Sequence, residues 1–294
     1  MKIGYYPGCT LKSKAKNLEL AAIRAMEVLG VELVELDRWN CCGAVYSLAD
    51  DDLVHYLAPV RDLIRAKDQG FDRVVTLCSM CYNTLARANL LMREDIVKRD
   101  AINDYLEEES TYQGEVEVLH LLNLLRNDIG WDQVKSRLKV PLEGLKLGPY
   151  YGCTLTRPRT VSIEDPNSPL LFREFVESIG ADYVEFSDAE TCCGSYQVIS
   201  NPDAASITAR RIVESANRAG ADALLMSCPL CEYNLGRRQA KALEGYEAVS
   251  PIPSFYFTQL LALALGVQFE ELGLALNMPL AAKFLEERGI VTPA

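Results

Sequence analysis

Residues 3–12, IGYYPGCTLK, return at 147–156 as LGPYYGCTLT. In each copy a short apolar run meets a glycine and then a cysteine, the pattern of a strand that ends in a tight turn. A second pair obeys the same rule: GFDRVVTLCSMC at 70–81 and GADALLMSCPLC at 220–231. Segments of helical period lie between them. Leu18, Ala21, Ala22, Ala25 and Leu29 recur at the spacing of one helix face, as do Leu53, Leu57, Val60 and Ile64. In the second copy Asn201-Pro202 supplies an N-cap and a first-turn proline ahead of Ala205, Ile212, Val213 and Ala216.

Apolar runs at 3–6, 31–36 and 74–77 alternate with these helices and are mirrored by runs at 147–151, 183–186 and 223–226. Strands without a polar face, separated by helices, predict a parallel sheet covered on both sides. The expected fold is α/β, with two homologous Rossmann-like βαβ modules, each built on a parallel sheet and related by a pseudo-two-fold axis. The first is placed at 1–143 and the second at 144–294, because a period near 150 is too long for a solenoid repeat. Leu121, Leu122, Leu124 and Leu125, echoed by Leu260, Leu261, Leu263 and Leu265, read as a closing helix for each module.

The 294 residues carry a net charge of −11 and are 49% hydrophobic. That excess of acid argues against nucleic acid, whose binding depends on Lys and Arg at the phosphates. No apolar run reaches the roughly 18 residues that span a bilayer, and the first eight residues lack a signal-peptide core, so a cytoplasmic location is expected. In a reducing compartment ten cysteines are metal ligands or redox groups rather than a disulfide framework.

Those ten fall into two sets: Cys9, Cys41, Cys42, Cys78 and Cys81, then Cys153, Cys192, Cys193, Cys228 and Cys231. Each set reads single Cys, Cys-Cys-Gly, C-x-x-C, with gaps of 31 and 35 residues in the first and 38 and 34 in the second. Every cysteine follows an expected strand, so the three segments of a set converge beyond the carboxyl ends of one sheet. Cys81 and Cys231 open the next helices, whose positive ends favour thiolate. Gly8, Gly43, Gly152 and Gly194 lie beside these cysteines, either as ordinary turn residues or to let backbone approach a bound group.

Thiolates select zinc, copper(I) or iron–sulfur centres, and four suffice for structural zinc or an ordinary cubane. Five per set, two of them adjacent, suit a larger and less symmetric centre. Thiol–disulfide exchange at a C-x-x-C would leave the Cys-Cys-Gly elements and single cysteines without a role.

The pattern resembles the cysteine-rich CCG domain, and its duplication resembles the B subunit of heterodisulfide reductase. The resemblance rests on Gly8-Cys9, Cys41-Cys42-Gly43, Cys78-Ser79-Met80-Cys81, Tyr151-Gly152-Cys153, Cys192-Cys193-Gly194 and Cys228-Pro229-Leu230-Cys231. It implies a noncubane [4Fe-4S] cluster on each set of five, with no nucleotide or flavin on this chain. It also implies a catalytic subunit that reduces a small disulfide or oxidises thiols. Its electrons would come from a small ferredoxin-like iron–sulfur partner, the family's C subunit. That partner is fed in turn by a flavin-containing one, the A subunit, sometimes in an electron-bifurcating complex. An electron-transfer subunit of a flavin- or quinone-linked dehydrogenase is the alternative. Archaeal members typically carry His after the second single cysteine and more glycine after the second Cys-Cys-Gly. Thr154 and Ser195-Tyr196-Gln197 stand there instead, so the archaeal coenzyme substrates are not assumed.

Among other residues, Arg157 and Arg159 lie in a polar insertion, 156–169, with no match in the first copy. They read as contacts for an anionic substrate or as solvated loop residues. Tyr46 and Tyr196, each near a Cys-Cys pair, read as hydrogen-bond donors to substrate or as packing residues. His55 and His120 have no counterparts in the other copy and are read as structural.

Overall fold

The computed structural model describes residues 1–44 and 53–291. In the first half β1 (Lys2–Tyr5), α1 (Lys16–Leu29), β2 (Glu32–Glu35), α2 (Val54–Asp68), β3 (Arg73–Thr76), α3 (Ser79–Glu94), α4 (Ile96–Tyr105) and β4 (Glu117–His120) follow in order. Helix α5 (Leu121–Leu124), which widens into a π turn as far as Ile129, and α6 (Trp131–Ser136) lead out of it. The second half repeats the plan. It runs β5 (Lys146–Pro149), α7 (Leu171–Ser178), β6 (Asp182–Tyr183), α8 (Gln197–Ser200), α9 (Pro202–Arg218), β7 (Ala223–Met226) and α10 (Pro229–Glu232). After a π turn at Tyr233–Arg237 come α11 (Gln239–Ala242), β8 (Ser254–Tyr256), α12 (Phe257–Ala264) and α13 (Pro279–Glu287).

Each half has a four-stranded, all-parallel sheet, ordered β2-β1-β3-β4 and β6-β5-β7-β8. The central strands are the apolar ones, as a sheet covered on both faces requires. Strand β2 is an edge, which is why it tolerates Glu32 and Glu35 in a segment read as apolar. Its counterpart β6 shortens to Asp182 and Tyr183, although Val184 N still donates to Leu147 O.

The expected boundary at 143/144 does not divide the core. One cluster of buried side chains runs from Ile3 and Leu18 through Leu122 to Phe172, Phe257 and Leu261. Helix α12 closes the second half but lies against α1 of the first, where Thr258 Oγ1 donates to Leu18 O at 2.9 Å. Asn17 Nδ2 likewise donates to Asn277 Oδ1 at 2.7 Å. These buried links tie the two halves together.

Candidate metal centre

The backbone delivers the cysteines where the topology demands. Each single cysteine follows the first strand of its sheet, and each C-x-x-C follows the third: Cys78 is the N-cap of α3 and Cys228 that of α10. Gly8 and Gly152, both in the left-handed region at φ 73° and 67°, turn the chain just before Cys9 and Cys153.

Cys9 Sγ lies 3.5 Å from Cys41 Sγ, and Cys42 Sγ lies 3.6 Å from Cys81 Sγ. In the second half Cys193 Sγ lies 3.6 Å from Cys231 Sγ, and Cys153 hydrogen-bonds Cys192. All ten thiols are free, and the separations far exceed the roughly 2.05 Å of a disulfide. Among the described residues no three His, Cys, Asp or Glu side chains gather as a single-ion site.

Electrostatics within each set are those of thiols sharing protons. Cys42 is pushed well below the usual thiol range by its hydrogen bonds with Cys41, then with Cys81. Cys81 is pushed up by its contacts with Cys42, then Cys78, and by burial. Cys192 is lowered in the same way by Cys153 and Cys193. Cys78 is lowered first by a hydrogen bond from Cys228, so the two sets touch across the halves. Beside that contact the hydroxyls of Ser79 and Ser227 lie 2.5 Å apart.

A cavity of about 380 Å³ opens at this junction. All five cysteines of the first set line it, together with Cys228. Ala15, Met80, Leu230 and Tyr233 form apolar walls, and Lys14 and Arg237 stand at its edge. The donor set is soft, largely buried and free of disulfide, as a thiolate-bound iron–sulfur centre requires. A Cβ on Gly8 would come within 2.9 Å of Cys81 Sγ, so the turn leaves room for sulfur and nothing more.

Sequence reasoning missed the residues that hold the Cys-Cys turns. Tyr6 OH donates to Asn40 O at 2.6 Å, the carbonyl just before Cys41, and Tyr150 OH donates to Thr191 O, just before Cys192. The signal was available, since both copies carry Tyr three residues ahead of the single cysteine. Asp62, buried, accepts from Asn40 N at 2.7 Å and secures the first turn again. Desolvation raises its carboxyl to about 8.

The other candidates lie away from the cavity walls. Arg157 and Arg159 are exposed, and Arg157 lines a separate depression with Glu190 and Thr191. Their insertion is more than a polar loop: Thr156, Val161 and Ile163 are buried, and Asn83 Nδ2 donates to Thr154 O and Arg157 O. Tyr196 is half-buried at the start of α8, and Tyr46 lies outside the described residues.

His120 is fully buried behind Cys78. Its Nε2–H donates to Leu77 O at 3.1 Å, and Leu122 N donates to its Nδ1 at 3.3 Å, which fixes the neutral tautomer. Burial lowers its pKa from 6.5 to about 3. The unfolded chain therefore binds the extra proton first, and stability is lost as pH falls from 6.5 towards 3. Between pH 7 and 5 the wild type is expected to lose about 2 kcal/mol more than His120→Gln, measured by urea unfolding at both values.

A model of the cysteine-rich CCG domain matches residues 3–86 and again 148–236. The chain belongs to the CCG cysteine-rich domain family and carries the domain twice. It is 32% identical, over 96% of its length and 98% of the relative, to the 8-methylmenaquinol:fumarate reductase membrane anchor subunit of Wolinella succinogenes. It is 30% identical, over 97% of its length and 96% of the relative, to the B subunit of the ferredoxin/F(420)H(2)-dependent CoB-CoM heterodisulfide reductase of Methanosarcina acetivorans. A crystal structure of a hypothetical protein from Helicobacter pylori shares the fold, with a TM-score of 0.76 at 15% identity, covering 94% of this chain and 51% of that one. Among the described residues no helix is long and apolar enough to cross a membrane.

Proposed function

We propose that this chain is an iron–sulfur subunit of a multisubunit oxidoreductase, and that it reduces a small disulfide to two thiols or runs the reverse oxidation. In this reading module 1–143 holds one noncubane [4Fe-4S] cluster through Cys9, Cys41, Cys42, Cys78 and Cys81. Module 144–294 holds another through Cys153, Cys192, Cys193, Cys228 and Cys231. Bound clusters supply electrons singly, and a pair of them matches the two that S–S cleavage consumes. The observation that carries the reading is the cavity between the halves, whose floor is six thiols from both sets.

The chain's own work is positional. Tyr6, Tyr150 and Asp62 fix the two Cys-Cys turns. Ala15, Leu230 and Tyr233 line the cavity beside the thiols. Protons for the product thiols come from water at the open mouth. Electrons come from a small ferredoxin-like iron–sulfur subunit, itself fed by a flavin-containing subunit, in a cytoplasmic complex that includes electron-bifurcating forms. The test is disulfide turnover by the anaerobically purified complex with a reduced donor. Formation of two thiols per two electrons supports the reading, and electron uptake without thiol formation refutes it.

The Wolinella relative favours a second reading, in which the chain passes electrons between a quinol and a flavin-linked partner. Reduction by a menaquinol analogue, without thiol formation from any disulfide, would select it.

A further inference from the structure

Helix α4 stands outside the duplicated plan. Segment 77–116, between β3 and β4, holds the long α3 and then α4, whereas the matching segment 227–253 holds only α10, a π turn and the short α11. The inward side of α4 is fully employed. Ile102 and Leu106 are buried, Asp95 caps the helix by accepting from Lys98 N at 3.0 Å, and Asn103 makes two 3.0 Å hydrogen bonds with the backbone of Tyr112. Glu109, just beyond the helix, pairs with Arg65 at 3.0 Å. The outward side is apolar where a surface helix is ordinarily polar. Val97, Ala101 and Tyr105 follow at i, i+4 and i+8 along one exposed row, which Ile96 adjoins at its N-terminal end. Val97 is 80% exposed, Tyr105 69% and Ile96 60%. Carboxylates rim the row: Asp100, Asp104 and Glu107 line an open depression of about 540 Å³ at its flank. Residues 94–109 carry seven acids against two bases.

Resting on the reading of this chain as one subunit of a multisubunit oxidoreductase, we propose that the outer face of α4 docks a basic protein subunit of that complex. The partner lays an apolar side chain along the Val97–Tyr105 row and sets a lysine or arginine into the acidic depression beside it. Charge selects this occupant. A second copy paired through the same row would set Asp100 and Asp104 against like carboxylates, and a chain of net charge −11 repels itself. An anionic lipid surface meets the same rim of negative charge. Because Ile102, Leu106 and Asn103 already fasten the helix to the first half, the face needs no ordering when the partner arrives.

The test uses the tagged full chain, purified anaerobically with its complex and treated with a carbodiimide, which joins a carboxylate directly to a lysine amine. Peptide mass spectrometry is expected to find Asp100, Asp104 or Glu107 joined to a lysine of another subunit. The Kd of that subunit for the full chain is then measured. Val97→Lys removes an apolar contact and turns positive charge towards a basic partner, and is expected to raise Kd roughly tenfold or more at unchanged iron content. Should that variant lose iron, Tyr105→Lys alters the same row from its other end. Ile207→Lys, on the exposed side of α9, is expected to leave Kd within about twofold, and wild-type affinity is expected to fall as salt is raised. An intact complex with no link at α4, links only to a second copy, equal binding to anionic vesicles, or wild-type affinity in the iron-loaded row variants would each overturn the docking site and leave the proposed function standing. A full chain that purifies without any partner subunit at low salt would overturn the multisubunit reading and the docking site with it.

Discussion

Cys42→Ser is expected to cost the protein about half of its iron and to lower thiol-forming turnover by more than about 100-fold, a larger loss than that typical for a ligand's supporting residue. Cys42 is only 2% exposed and sits between two thiol partners, Cys41 and, at 3.6 Å, Cys81. Those contacts push it towards the thiolate, the form that binds soft metals. A serine there keeps its proton at neutral pH and offers a hard oxygen, so the centre of the first set loses its middle ligand. Iron and acid-labile sulfide per chain, measured beside the wild type, check the result. Full iron retention would show that Cys42 is a packing residue.

Gly8→Ala is expected to be nearly as damaging, although it removes no ligand. Its φ of 73° carries a penalty of about 1–2 kcal/mol for any residue with a Cβ. That atom would also stand 2.9 Å from Cys81 Sγ and push the thiol off its place. Gly43 supplies the contrast: its φ is 71°, but among the described residues an added Cβ meets nothing within 4 Å. Gly43→Ala should therefore show only the conformational penalty in urea unfolding, whereas Gly8→Ala should show that penalty together with a loss of iron of the order caused by Cys42→Ser. Equal iron in the two alanine variants would contradict the account.

Most of the architecture was legible because it is written twice. Strands followed by glycine and cysteine recur at 3–9 and 147–153, and a parallel sheet then sends every cysteine to one edge. Glu32 and Glu35 could be placed only once the strand order made β2 an edge, since an isolated apolar run carries no information about its neighbours. The interleaving of α12 with α1 was hidden for a related reason. A helix that is apolar on every side announces burial but not its partner. Tyr6 and Tyr150 hold backbone rather than sulfur, so the cysteine pattern alone does not reveal them, and the bonds that tie down the loops of the second set come from single residues such as Asn83 and Asn234. Thr156, Val161 and Ile163 are buried in a segment read as a polar insertion, where Asn83 reaches across the halves to Thr154 O, a link that no local pattern announces.

The central claim is that each set of five thiols surrounds its own iron-containing centre. Iron, zinc and acid-labile sulfide counted per chain in anaerobically purified protein test it most directly. About eight iron and a similar amount of sulfide per chain are expected, from two four-iron centres. One or two zinc ions without sulfide, or no metal in metal-replete cells, would contradict it.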